Sequence, residues 1–482
     1  MLRHEVSAPD EGKLIRDAVH GYQVLEPHEV AVLDLPVIQR LRGIHQTAMT
    51  YFVYPTATHT RFDHSLGVAR MVSGMIEGLR VKTPVSQAVS RRVRLAALLH
   101  DCGHLLFSHL GEDAAATLLS GELRAAKALA PALFTAKKLG EVVSYLIATS
   151  PTVAEPIDDL LKTQRIDDVR MELVSPLIIG QPTNSAQQFE ADIISGPFDA
   201  DKLDYLLRDC HFSGIRSTID VERIYYTVRE LTTADQPRSL AMHISGVPNL
   251  EQVLFAKMML FPAVYQHQKV RALECTFKGI IERLIRDRAR LVVTELRLET
   301  LVDWLALSES DFFVLGQREP AVKDRVRDLL ERRSLRRALV ISPDTVTQES
   351  EDPLFHLGVA AETQESLSDL RRAIIESMDS RLRCDPAELW VDVPDLPNVI
   401  QDVEQVKVTY DSKTHVPLSS DRFQWDRWTS NYAKVKWKAH LFCPDDAGVR
   451  REAARATQAV LRDRYKIELG EAAWRLAKND SP

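Results

Sequence analysis

The sequence predicts a mainly α-helical protein, with a helical core preceded by a β-hairpin and followed by a small α+β region. Three patterns carry this prediction. From about residue 64 to 300, apolar residues recur at intervals of three and four, the spacing of a buried helix face, with few strand-like runs. Ahead of it, Lys13 to Leu25 alternates across a turn signal at Gly21, as a short hairpin does. Beyond about residue 340, helical and strand-like segments mix.

Taken in order, Pro27 starts a helix, and Pro36 starts another carrying Ile38, Leu41 and Ile44 on one face. The clearest helical segments after these are Val85 to Leu99, Glu141 to Ala148 and Leu250 to Leu284. Arg327 to Arg337 is rich in Arg and Glu at helical spacing and reads as a solvated helix face; a phosphate-holding arginine cluster is the alternative. A polar stretch at 341–365 reads as a loop or linker. A helix over 367–383, strand-like runs Glu388 to Pro394 and Ala433 to Phe442, and a helix from about 446 to 464 follow. Three regions are expected: hairpin and helices over 1–50, a core over 51–340, and the α+β region over 341–482.

With 482 residues the chain can bury a sizeable core. Its 61 basic and 68 acidic residues give a net charge of −7, so no overall basic field draws in nucleic acid or an anionic membrane. A small anion would have to be held by local Lys and Arg. The sequence contains no apolar run of about 18 residues that would span a bilayer, and the first residues lack the apolar core of a signal peptide. Five dispersed cysteines (102, 210, 275, 384, 443) fit reduced thiols, and a cytoplasmic location is expected. Cys102 and Cys210 read as small core residues, not nucleophiles.

Four side chains stand out as potential metal ligands. They are His64 in Arg61-Phe-Asp-His64-Ser-Leu-Gly67, the adjacent His100 and Asp101 in Leu98-Leu-His100-Asp101-Cys-Gly-His104, and Asp201 in Asp199-Ala-Asp201-Lys202-Leu-Asp-Tyr205. Two neutral imidazoles and two carboxylates form a nitrogen and oxygen donor set suited to Mn, Fe, Zn or Mg, with positions left for water and a phosphoryl oxygen. The apolar run Val93 to Leu99 would deliver His100 and Asp101 from a rigid helix. A single histidine is more often a hydrogen-bonded core or surface residue. Here each proposed ligand brings its own flanking motif, and histidines 59, 64, 100, 104 and 109 fall close together.

The stretches Tyr54-Pro-x-x-x-His59-x-Arg61-Phe-x-His64-Ser-Leu-Gly, His100-Asp-x-Gly-His104-x-x-Phe-Ser-His109 and Asp201-Lys-x-Asp-Tyr205-x-x-x-Asp209-Cys are more specific than a bare His-Asp pair. Through them the chain resembles the HD-domain superfamily of metal-dependent phosphohydrolases. More narrowly it resembles deoxynucleoside triphosphate triphosphohydrolases of the sterile-alpha-motif-and-HD-domain type and their bacterial relatives, over about residues 12 to 290. The resemblance implies His64, His100, Asp101 and Asp201 as ligands of a divalent metal, and hydrolysis of a dNTP to deoxynucleoside and triphosphate. It implies His104 and His109 beside the phosphates, one of them protonating the leaving 5′-oxygen. Arg61 and Lys202 match phosphate contacts, Gln46 and Asp209 contacts to the 3′-hydroxyl, Tyr205 the ring that crowds a 2′-hydroxyl, and Tyr265 a tyrosine near the base.

The same resemblance implies a second, activating nucleotide, GTP or a dNTP, in a homo-oligomer such as a tetramer. Asp34, Gln39 and Arg42 match its contacts, and Lys13 and Arg223 its phosphate contacts; an amphipathic helix with an ordinary ion pair is the alternative. Arg16 replaces the usual Asn of that pocket. Three departures touch the catalytic site: Gly140-Glu141 stands where a His-Glu pair is usual, Lys257 replaces a common phosphate-binding Arg, and Phe261 a frequent His. The expected roles are control of dNTP pools or defence against phage by nucleotide depletion. The alternatives are another HD phosphohydrolase (nucleotidase, phosphodiesterase or nuclease) and a nucleotide- or single-strand-binding sensor; nucleic acid enters only through the nuclease and sensor readings.

Overall fold

The hairpin forms as expected: β1 (Lys13–Asp17) pairs antiparallel with β2 (Gly21–Leu25). Strand alternation sorts its side chains, with Asp17, Gln23 and Leu25 inward and Leu14, Arg16, Tyr22 and Val24 exposed. The structure is a computed structural model and describes residues 11–130, 132–133, 138–233, 236–287, 296, 298–354, 364–394, 404–419 and 425–478. It divides into two compact units, one of residues 1–260, 297–310 and 401–425, the other of 261–296, 311–400 and 426–482.

In the first unit, prolines open α1 (Pro27–Leu33) and α2 (Pro36–Gln39), and the expected apolar face of Ile38, Leu41 and Ile44 is fully buried. Helix α3 (Arg61–Arg80) starts with a capping box, in which Thr60 and Asp63 satisfy each other's backbone N–H groups. Helix α4 (Gln87–Leu99) ends with His100 as its C-cap. Among the helices that follow are α5 (Ser108–Leu118), α6 (Leu139–Thr149) and α7 (Ala200–Ser213). In α7 the Asp199 cap accepts the Lys202 N–H at 2.7 Å. Helix α8 (Val247–Leu260) belongs to the same unit.

One element here departs from the helical expectation for 64–300. Strands β3 (Val228–Thr233) and β4 (Gln236–His243) form a hairpin, and strand Lys407–Thr409 adds to β4 in parallel. That partner lies far along the chain, so local periodicity carried no sign of it.

In the second unit, the expected continuous helix to Leu284 is interrupted by a π-turn at Phe261–Tyr265, where Pro262 has no N–H to donate; α9 (Gln268–Asp287) then resumes it. The Arg-rich segment is not one helix. Helix Lys323–Leu330 ends, Arg332 takes a left-handed φ of 59°, and β5 (Arg336–Ile341) begins. Arg327 pairs with Asp324 and Arg333 with Asp328. Strand β6 (Trp390–Asp392) and β5 both flank β7 (Ala439–Cys443) antiparallel. Residues 433–436, read as strand, instead finish helix Trp425–Lys436; Trp428, Tyr432 and Val435 fall at helical spacing, which overrides the local alternation of lysines. The helix expected over 367–383 spans Gln364–Ser377, and the last one Ala447–Val460. Part of the 341–365 stretch lies outside the described residues; the rest includes the short 3₁₀ turns Pro343–Thr345 and Gln348–Ser350 and helical residues at 351–354.

All five cysteines are free, and burial pushes the Cys102 thiol up to about 12, as suits a core residue. No helix of the described residues is long and apolar enough to cross a membrane.

Candidate metal centre

Helices α3, α4 and α7 bring the four expected ligands together. His64 Nε2 lies 2.9 Å from Asp201 Oδ1 and 3.6 Å from Asp101 Oδ2. His100 Nε2 is 3.3 Å from Asp101 Oδ1 and 3.9 Å from Asp201 Oδ1. Both imidazoles are oriented by their other nitrogen: His100 Nδ1–H donates to the Ala97 carbonyl at 2.7 Å, and His64 Nδ1–H donates to Asp204 at 2.7 Å. Each Nε2 is thereby turned to the shared space. His100 Nε2 is buried without a hydrogen-bond partner, which suits a lone pair meant for a cation.

The electrostatics agree with that fit. Burial depresses the His64 imidazolium, but hydrogen bonds to Asp201 and Asp204 and the charge of Asp101 outweigh it and raise its pKa to about 10. A proton is thus held where a divalent cation would satisfy the same carboxylates. Burial also opposes ionisation of Asp101, yet His100, Arg61 and His104 hold it well below the usual carboxylate range. Asp201 is the open side of the site, 38% exposed.

Beside the ligands stand His104 and His109, their rings 5.1 Å apart and edge-on. His104 Nε2 contacts Asp101 at 2.9 Å, its Nδ1 bonds Glu112, and His109 Nδ1 lies 3.2 Å from the same Glu112. Glu112 escaped the sequence reading. It explains Gly140, because a Cβ there would sit 2.6 Å from Glu112 Oε1 and 2.7 Å from His104 Nδ1. The carboxylate fills the space a larger residue at 140 would need.

Arg61 is buried and donates to Asp101 at 2.8 Å and to Ser108 at 3.0 Å, so it braces a ligand directly. Lys202 Nζ donates to Asp199 and to the Gly196 carbonyl, both at 2.7 Å. Lys202 and Lys257 line one small apolar cleft with Phe198, Leu206 and Leu254. Gln46 and Asp209 meet through His59: the Gln46 N–H bonds the His59 carbonyl at 3.0 Å, and His59 Nε2 bonds Asp209 at 2.7 Å. Gln46 Oε1 is buried and unpartnered. Tyr205 lies on α7 one turn past Asp201, and Asp209 one turn further. Tyr265 belongs to the second unit, where its ring meets Phe261 edge-on at 5.4 Å.

Of the expected activator contacts, Lys13, Asp34, Arg42 and Arg223 are exposed, and Arg16 lies over Tyr22 at 5.6 Å. Gln39 accepts from Arg42 at 2.8 Å and donates to the Leu33 carbonyl at 2.8 Å, while Arg42 stacks 3.6 Å over Phe62.

Two supports went unread in the sequence. Arg40 donates to the Cys102 and His104 carbonyls at 3.0 and 2.6 Å, pinning the turn after His100. Buried Glu309 accepts from the His45 backbone (2.9 Å), from His45 Nδ1 (2.6 Å) and from the Phe107 N–H (3.3 Å). It holds the left-handed pair Phe107 and Ser108 (φ 58° and 53°) that leads into His109. A carboxylate two hundred residues downstream gives no local signal.

Comparisons with known proteins agree with this geometry. The family model for the HD domain matches residues 61–162, and that for the HD-associated region matches 219–420. An uncharacterised protein of Methanocaldococcus jannaschii is 30% identical over 303 residues, 62% of this chain and 56% of the relative. The deoxynucleoside triphosphate triphosphohydrolase SAMHD1 of Homo sapiens is 27% identical over 351 residues, 67% of this chain and 53% of the relative. That of Gallus gallus is 32% identical over 270 residues, 53% and 43%. The chain spans about half the length of the curated relatives it matches. Asp201 lies between the two matched regions, and the fold carries it back to His64. The chain is therefore an HD-domain protein with an HD-associated region, a distant homologue of the deoxynucleoside triphosphate triphosphohydrolases.

Proposed function

We propose that this protein hydrolyses deoxynucleoside triphosphates to deoxynucleoside and triphosphate at a divalent metal held by His64, His100, Asp101 and Asp201. The observation that carries the reading is the convergence of two imidazoles and two carboxylates beside Arg61, His104 and His109. When bound, the cation (Mn, Mg, Fe or Zn) supplies Lewis acidity to a phosphoryl oxygen and acidity to water. Water oxygen bonds to the α-phosphorus as the bond from phosphorus to the 5′-oxygen breaks; His104 or His109 gives that oxygen its proton, and the proton the water loses passes to solvent, from which the histidine is reprotonated. Burial and Arg61 depress the His104 imidazolium, but Asp101 and Glu112 outweigh them, so it keeps a proton to give.

Arg61, Lys202 and Lys257 offset the phosphate charge. Gln46 and Asp209 hold the 3′-hydroxyl, Asp209 by accepting its proton and the Gln46 side-chain amide by donating an N–H to its oxygen, while Tyr205 crowds a 2′-hydroxyl. An activating GTP or dNTP would use Lys13, Asp34, Gln39, Arg42 and Arg223 in a homo-oligomer, with residues 1–50 regulatory, 51–340 catalytic and 341–482 serving assembly. Free thiols suit a reducing compartment, where the activity would limit dNTP pools or starve a phage.

The test is incubation with Mn²⁺ or Mg²⁺ and each dNTP, followed by chromatography. Deoxynucleoside plus triphosphate is expected; orthophosphate would point to a nucleotidase, and no turnover with any dNTP or metal would overturn the reading.

A further inference from the structure

We infer that the turn of the N-terminal hairpin is a built part of the metal centre: His20, acting through Asp204, positions the ligand His64. The inference rests on the metal reading above and extends it to residues outside the donor set.

Helix α7 offers two carboxylates one turn apart, and both go to His64. Asp201 faces Nε2 at 2.9 Å and Asp204 faces Nδ1 at 2.7 Å. Since a carboxylate can only accept, Asp204 fixes the proton on Nδ1 and leaves the Nε2 lone pair for a cation. Asp204 is fully buried and its own lone pairs are all engaged. Arg208 donates to it from Nε (2.9 Å) and Nη2 (3.0 Å), and His20 Nε2 lies 2.5 Å from Oδ1.

The hairpin is anchored at a second point by the same arginine, whose Nη2 reaches Asp17 at 2.9 Å. Asp17 in turn accepts the Val19 and His20 N–H groups at 2.7 and 2.8 Å, which sets the turn that presents His20. Gly67, one turn past His64 on α3, makes the approach feasible: a Cβ there would lie 1.9 Å from Asp204 Oδ1 and 2.3 Å from Arg208 Nη2. Gln23 of β2 adds a hydrogen bond to the Leu66 carbonyl at 3.2 Å. The inward face of the hairpin thus sets Asp17 and Gln23 beside Leu25, and its two polar members are keyed to the ligand helices, Asp17 to α7 through Arg208 and Gln23 to α3.

His20 is a positioning residue, so its loss should weaken metal binding without removing a donor. Supporting groups of this kind are worth about 10–100-fold in metal affinity. The test is calorimetric titration of Mn²⁺ into the full-length metal-free protein and into His20→Gln, His20→Asn and His20→Ala, with thermal unfolding of each metal-free form as control. Gln carries an amide N–H at nearly the reach of imidazole Nε2 and is expected to bind close to wild type. Asn is too short and Ala has no donor, so both should lose about tenfold or more. Wild-type affinity in Asn and Ala would overturn the inference and leave the metal reading intact. A wild type that takes up no divalent cation would overturn both.

Discussion

Glu112 shows how a single side chain can reshape a catalytic cluster. It bonds His104 and lies within reach of His109, and the space it needs exists because residue 140 has no side chain. Gly140 lies in α6, where Ala would favour the helix by about 0.8–1 kcal/mol. Its Cβ would nonetheless displace the Glu112 carboxylate, the mobile end of a side chain, so the cost falls on the alignment of His104 and not on the fold. Gly140→Ala is therefore expected to melt within a few degrees of wild type and lose at least about tenfold in turnover, as general acid–base groups contribute about 10²–10⁴-fold. Unchanged turnover with dNTP would show that the pairing of His104 with Glu112 has no part in the chemistry. The glycine at 140 is legible in sequence; the carboxylate from another helix that it makes room for is not, because nothing local pairs residues 112 and 140.

At the scale of elements, α7 is the device that assembles the site. Its three- and four-residue spacing carries Asp201, Tyr205 and Asp209 down one side, while Asp204 and Arg208 form a second, fully buried row. The sequence pattern picked out the first row through its motif. The second row, charged and internal, is explained only by the partners it meets on α3 and the hairpin. In the other unit, β7 illustrates a pH-dependent element. His440 is buried between β5 and β6, and burial lowers its pKa to about 4, with Arg337 and Arg271 adding to the effect and Asp392 opposing it. Because the folded value lies below the ordinary 6.5, neutral His440 contributes its full stability above pH 6.5 and loses it progressively as pH falls towards 4. The loss amounts to about 3 kcal/mol at most. His440→Phe should flatten the fall in denaturant midpoint over that window; an unchanged slope would assign acid lability to other groups.

At the scale of the molecule, the metal ligands and their braces come from the first unit, gathered from residues 17 to 309. A cation bound there would be linked to folding of that unit. Mn²⁺ at a hundredfold excess over its dissociation constant should stabilise it by about 2.7 kcal/mol, and a chelator should remove the gain. Asp201→Asn should blunt the shift in thermal unfolding; a melting curve indifferent to metal and chelator would mean that the four donors hold no ion.

Helical spacing, prolines at helix starts and the three histidine- and aspartate-rich motifs are local, and from them alone followed the mainly α fold, the hairpin and the four potential ligands. Those features survive because hydrophobic periodicity and capping act within a few residues of their cause. The tertiary structure decided what depends on distant partners. It closed a sheet across strands far apart in sequence, split the Arg-rich segment into helix and strand, and turned Glu309, Arg40, Glu112 and His20 towards the site. A buried charge can be read in a sequence, but the group that neutralises it is fixed by packing.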